Sequence, residues 1–159
     1  MAGKTAVTSE DGGGIAARPD ITTQEKVEFL RGVDLFSQAS VEELYPLANL
    51  AREVGFPPQW TIFQETDIAD AFYIIVNSGK VECVSKSGDR REELGPGEVF
   101  GLYSALTRGP RNARATALER TVAICIAAED LFTLLSNNTE IVMSMFKHFI
   151  RKLRVGPRS

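Results

Sequence analysis

GEVFGLYSALTRGPRNARA, residues 97–115, decides how this chain is read. A Gly-Pro-Gly turn leads into it, a short helical piece is expected over 103–106, and an arginine directly follows Pro110. The physical sense of that order is anion capture. The start of a short helix leaves backbone N–H groups unpaired, and Gly101 has no Cβ to keep a ligand off that backbone. Arg111 adds a planar, permanently charged fork that can hold two phosphate oxygens at once.

Working outward, the strands come first. Residues 52–56 and 60–63 read as strands around a Pro57-Pro58 turn, because β-formers cluster on either side of it. Glu65-Thr66-Asp67 turns the chain into a buried strand at 72–76. Strands at 80–86 and 90–94 are joined by Ser87-Gly88-Asp89, a hairpin signal. After the opening stretch, 114–118 and 121–127 flank a Glu119-Arg120 turn. Many short strands with Gly and Pro turns, flanked by helices, predict an α+β fold that is mainly β. The expected form is an antiparallel β-roll, of the double-stranded β-helix or jelly-roll kind, with N-terminal and C-terminal helices.

The helices carry their own punctuation. One starts at Thr22 or Thr23 and ends or bends at Gly32, with Val27, Phe29 and Leu30 on its apolar side. A second opens at Ser40, where Ser40 and Glu43 make a capping box ahead of Leu44, Leu47, Ala48 and Ala51. Glu129 and Asp130 begin a third, and Ser136-Asn137-Asn138 breaks it. The last begins after Asn138 or Thr139. It carries Ile141, Val142, Met145, Phe146, Phe149, Ile150 and Leu153 as a broad apolar stripe, with Lys147, Arg151, Lys152 and Arg154 on the other side. The stripe packs on its own roll, or meets a second protomer or another part of a larger protein. His148, the only histidine, is expected at the surface rather than as a ligand or base.

The domain division follows: a Gly-rich flexible leader at 1–20, one domain at 21–154, and a tail at 155–159. At 159 residues, 43% apolar and a net charge of −3, the chain is long enough for one real core and lacks the cationic excess of a nucleic-acid or anionic-membrane binder. No apolar run reaches membrane-spanning length and no signal peptide is visible, so an aqueous, cytoplasmic setting is expected. Cys83 and Cys125 stand alone in strand contexts, as buried thiols rather than metal ligands or a disulfide. No metal site is expected. There is no Ser-His-Asp arrangement, no Walker lysine and no paired histidines, so no catalytic residue is expected either.

The same residues carry a resemblance. Phe100-Gly101 followed by Pro110-Arg111-Asn112-Ala113 resembles the phosphate-binding cassette of cyclic nucleotide-binding domains, whose pattern runs F-G-E-x-A-L, four residues, then P-R-x-A-[S/T]. PPQWTIFQETDIADAFYIIVNSGKVECV and LGPGEVFG resemble further family phrases, and the likeness covers about residues 35–153. It implies a ligand site at Gly101, Leu102, Tyr103, Ser104, Arg111, Asn112, Ala113 and Arg114.

Departures from the pattern are as informative. Leu102 stands where the family places Glu on the ribose 2′-hydroxyl, and Arg114 where it places Ser or Thr on the phosphate. Gln59 and Thr66 occupy positions that are usually Gly, so another backbone path or local strain is expected there. The resemblance implies a regulatory sensor domain of a larger protein that couples a small anionic ligand to movement of C-terminal helices. That ligand is cAMP, cGMP or another phosphate, with cyclic nucleotides held weakly and no other cofactor. The alternative is a degenerate, ligand-free roll that serves as an interaction or dimerisation module, with the C-terminal helix as a homodimer surface. Relatives that regulate DNA join the roll to a helix-turn-helix; here only residues 155–159 follow Arg154, so no nucleic-acid contact is expected of this chain.

Overall fold

The computed structural model describes residues 7–8 and 21–155. Of the leader expected at 1–20, only Val7–Thr8 falls within that range, as the two-residue strand β1. The rest of the leader and residues 156–159 lie outside it.

Three helical elements open the described domain. Helix α1, Thr23–Arg31, starts where Thr22 Oγ1 accepts the Glu25 N–H at 3.1 Å and stops at Gly32. A 3₁₀ helix, Asp34–Phe36, follows without having been expected. Helix α2, Val41–Leu50, begins with the expected capping box: Glu43 N–H donates to Ser40 Oγ, and Ser40 N–H to the Glu43 carboxylate. Two orphan donors are satisfied reciprocally.

The strands β2 (Arg52–Phe56), β3 (Thr61–Phe63), β4 (Ala71–Ile75), β5 (Val81–Ser85), β6 (Arg91–Leu94) and β7 (Val99–Phe100) precede helix α3 (Leu102–Thr107). After α3 come β8 (Ala113–Ala117) and β9 (Thr121–Ala127), then helices α4 (Ala128–Ser136) and α5 (Thr139–Val155). All pairings are antiparallel. One sheet runs β1-β2-β9-β4-β7 and the other β3-β8-β5-β6. This is the expected β-roll between helices.

Strand alternation explains why β4, and β9 beyond its first residue Thr121, are apolar throughout. Phe72, Ile74, Val122, Ile124 and Ile126 face one core, shared with Leu30, Leu44, Leu47, Leu131 and Ile141 of the helices. The intervening Ala71, Tyr73, Ile75, Ala123 and Cys125 face a second core inside the roll, with Phe56, Ile62, Phe63 and Phe100. A period of two sends neighbours to opposite faces, so a sheet covered on both faces needs apolar residues at every position.

The expected strain is present. Gln59 and Thr66 keep the left-handed backbone that glycine would supply, at φ 69° and 81°. Asn77 and Arg108 do the same at φ 62° and 55°.

Candidate functional site

Two loops are zipped together beneath the cassette. The Arg111 N–H donates to the Asp67 carbonyl at 2.7 Å, the Thr66 N–H to the Arg111 carbonyl at 3.1 Å, and the Ala69 N–H to the Gly109 carbonyl at 2.9 Å. The backbone of Arg111 is thereby fixed by the turn that carries the strained Thr66. Ahead of α3, Gly101 takes φ +81°, and a Cβ there would lie 2.9 Å from Arg111 Nη1 and 3.2 Å from the Phe63 ring. Glycine is required by both conformation and space.

Arg111 is turned inward and only 5% exposed. Nη1 donates to the Gly101 carbonyl at 2.7 Å and Nη2 to the Ala71 carbonyl at 2.6 Å. The guanidinium lies over the Phe63 ring, 4.0 Å from its centroid. Burial lowers its pKa, while nearby Tyr73 and Asp70 oppose that shift. A guanidinium remains charged across any ordinary pH range.

A cavity of about 370 Å³ opens beside this arrangement. Gly101, Leu102, Tyr103, Ser104, Asn112 and Ala113 line it, together with Phe63, Cys83, Leu94, Phe100, Asp34 and His148. Two expected site residues lie elsewhere. Arg111 sits behind the wall, and Arg114 alternates with the inward Ala115 on β8 and is exposed on the outer face. Leu102 lines the cavity and is also buried in the helix-side core, so the position that the family gives to an acid is here filled by a packing residue.

The cavity wall reaches beyond the cassette to residues that the sequence reading did not assign. His148, expected at the surface, has a side chain only 19% exposed, and its Nδ1 lies 3.0 Å from Asp34 Oδ2. Arg151 Nη2 donates to the same oxygen at 2.6 Å. Hydrogen bonds first from His148 and then from Arg151 hold the Asp34 carboxyl below the usual range. Ser144 Oγ adds a buried bond to the Leu35 carbonyl at 2.9 Å, so α5 is fastened to the 3₁₀ helix. The legible signal was the spacing of His148 and Arg151, which shares one helix face; their partner lies more than a hundred residues away in sequence.

The charged part of the remaining lining is acidic: Glu92 and Glu98 join Asp34, and no Lys or Arg lines the cavity among the described residues. Burial, reinforced by Glu92 and Glu82, pushes the Cys83 thiol up to about 12, so it is an inert thiol. From above, Tyr103 of α3 meets Phe149 of α5 with ring centroids 5.4 Å apart.

Helix α5 divides its stripe. Ile141, Ser144 and Met145 are buried against the domain and Phe149 is half-buried, while Val142, Met143, Phe146, Ile150 and Leu153 are exposed. Lys147 and Arg151 are exposed on the polar side, and the side chains of Lys152 and Arg154 lie outside the described residues.

A roll built of two antiparallel sheets, with a cassette and cavity at this place, defines a class of regulatory ligand domain, and comparison fixes the family. The chain belongs to the cyclic nucleotide-binding domain family, whose model matches residues 53–138. It is 30% identical over 131 residues to a CRP-like cAMP-activated global transcriptional regulator of Mycobacterium tuberculosis, covering 80% of this chain and 58% of that protein. It is also 30% identical over 129 residues to the cyclic AMP receptor protein of Thermus thermophilus, covering 79% and 59%. Among solved structures it resembles the N-terminal domain of a transcriptional regulator from Streptomyces coelicolor A3(2). That match has a TM-score of 0.65 and 29% identity, covering 82% of this chain and 96% of the other. The chain thus spans less than three-fifths of the length of the two curated relatives. Among the described residues, no helix is long and apolar enough to cross a membrane, and no group of side chains could hold a metal ion.

Proposed function

We propose that this domain is a non-catalytic, cytoplasmic sensor in which occupancy of the cavity is coupled to the position of α5, and through α5 to a neighbouring domain or a second copy. One observation carries the reading. The cavity wall is shared by the cassette, through Gly101 to Ser104, and by the α5 attachment, through Asp34 and His148, with Tyr103 on Phe149 bridging the two. A ligand that fits one placement of α5 better than another shifts the balance between them by its difference in affinity.

Cyclic nucleotides are the ligand class that the relatives' names support, and cAMP and cGMP are expected to bind weakly. Leu102 cannot accept the ribose hydroxyl, which removes about 2 kcal/mol or more from a typical micromolar site. The control of transcription named for the relatives is proposed for a larger protein that contains this domain. The exposed seam of Met143, Phe146, Ile150 and Leu153, spaced 3-4-3, suits pairing with a second α5.

A second reading, a ligand-free interaction module, is favoured by two facts: Arg111 spends two nitrogens on backbone carbonyls, and Leu102 is part of the core. Calorimetric titration with cAMP, cGMP and inorganic phosphate decides between them. High-micromolar binding of the cyclic nucleotides supports the sensor; no heat from any of the three at millimolar concentration favours the module.

A further inference from the structure

The two halves of α5 are attached by different chemistry. Ile141, Ser144 and Met145 are buried, and Ser144 Oγ makes a neutral bond to the Leu35 carbonyl at 2.9 Å. Beyond them the polar attachment converges on one carboxylate oxygen, because Asp34 Oδ2 lies 3.0 Å from His148 Nδ1 and 2.6 Å from Arg151 Nη2. Those two hydrogen bonds hold Asp34 below the usual carboxyl range, so it is an acceptor at neutral pH and Nδ1–H is the donor. A second proton on the ring goes to Nε2, which makes no hydrogen bond among the described residues. The attachment therefore keeps its geometry when the imidazole charges, and its strength changes.

We propose that His148 and Asp34 form a proton-tightened latch on α5: uptake of a proton by His148 strengthens the hold of the 3₁₀ helix on residues 146–155, and its loss loosens them while residues 139–145 stay fixed. The inference goes beyond the sensor reading, since the proton acts without a ligand. The direction follows from what His148 faces. With α5 docked, it meets Asp34 directly and, across the shared cavity, Glu92 of β6 and Glu98 ahead of β7. Burial pushes the Cys83 thiol up to about 12 and raises Tyr103, so these other lining groups stay neutral. Arg151 and Lys147 oppose a charge on the ring, but they lie on the same helix and accompany His148 whether or not α5 is docked. Docking thus adds carboxylates to the surroundings of His148, and the charged ring gains more from it than the neutral one. The added hold is present at acidic pH and is lost as pH rises through the range in which imidazoles discharge, about pH 5–8.

Hydrogen–deuterium exchange with mass spectrometry, on the full chain without ligand, measures protection along α5 at about pH 6 and about pH 8 after correction for the intrinsic rates. His148 is the one histidine in the sequence, and burial raises both thiols, so few other groups change charge between these values. The expected result is about threefold to fivefold more protection of residues 149–155 at the lower pH, a modest gain because the Asp34 side chain is 59% exposed. Residues 141–145 should be equally protected at both. His148→Gln, which can still donate to Asp34 but does not titrate, should keep the parent's protection at the higher pH and show no gain at the lower. Asp34→Asn should lose most of the gain, since the ring then charges beside Arg151 with no direct carboxylate.

Equal protection of 149–155 at the two pH values in the parent, or a gain kept in full by folded His148→Gln, would overturn the latch. So would a gain shared equally by 141–145, which marks a change in the whole domain. Should His148→Gln not fold, a full parental gain in Asp34→Asn overturns it. No ligand enters the measurement, so failure of the latch leaves the sensor reading standing, and failure of cyclic nucleotides to bind leaves the latch.

Discussion

Arg111→Ala is the perturbation on which the site's physics bears most directly. The side chain is treated by the family pattern as a phosphate binder, yet here its guanidinium closes two backbone carbonyls and covers an aromatic face. Truncation strands both carbonyls, at about 1–3 kcal/mol for each one that water cannot reach. It also removes a desolvated cation–π contact worth about 1–2 kcal/mol. Against this stands the relief of a buried charge, which offsets several kcal/mol of the loss. The net expectation is a destabilisation of about 2–4 kcal/mol, or about 5–15 °C in Tm for a domain of this size. Urea and thermal unfolding followed by circular dichroism measure it. Arg111→Lys keeps the charge but cannot span both carbonyls, so it should fall between parent and alanine variant. An alanine variant within about 0.5 kcal/mol of the parent would refute the reasoning, since ordinary surface substitutions lie in that range. Loss of ligand in Arg111→Ala is therefore informative only beside its unfolding curve.

Other outcomes follow from single residues. Thr66→Gly relieves a β-branched residue at φ 81° and should stabilise by about 0.5–1 kcal/mol after the added freedom of the unfolded chain is subtracted, as read by thermal melting. Leu102→Glu should raise cyclic nucleotide affinity about tenfold in calorimetry. The same variant should lower stability by about 2–4 kcal/mol, because it takes a leucine from the core. Phe146→Ser combined with Ile150→Ser should reduce self-association in sedimentation without loss of fold, since both side chains are exposed; an unchanged sedimentation profile would place any dimer contact elsewhere.

Much of this fold was legible because its signals are local. The capping box at Ser40, the hairpin turn at Gly88 and the continuous apolar runs of β4 and β9 each name an element within a few residues. The 3₁₀ helix at Asp34–Phe36 was not legible, since a single tight turn has no hydrophobic period to show. At the site, six of the eight expected residues line one cavity, and motif order alone placed them. The inward turn of Arg111 was hidden because its partners are carbonyls, which every residue carries and no sequence marks. Asp34 and His148 were hidden for a related reason: their chemistry exists only once α5 lies across the 3₁₀ helix.

Leu102 and the inward turn of Arg111 then have one physical account. An acid at position 102 would need a polar partner, whereas the space around it is shared with Ala105, Phe72 and the helix-side core. Leucine suits that space and ties α3 to the core. With α3 held there, the Gly101 carbonyl remains within reach of Arg111, and the arginine satisfies protein rather than ligand. A phosphate entering the cavity must compete with two charge-assisted bonds already made, not with water alone. On the proposed sensor reading, a ligand in the cavity would meet α5 less through the arginine than through Tyr103 and His148, the cavity residues whose rings touch Phe149.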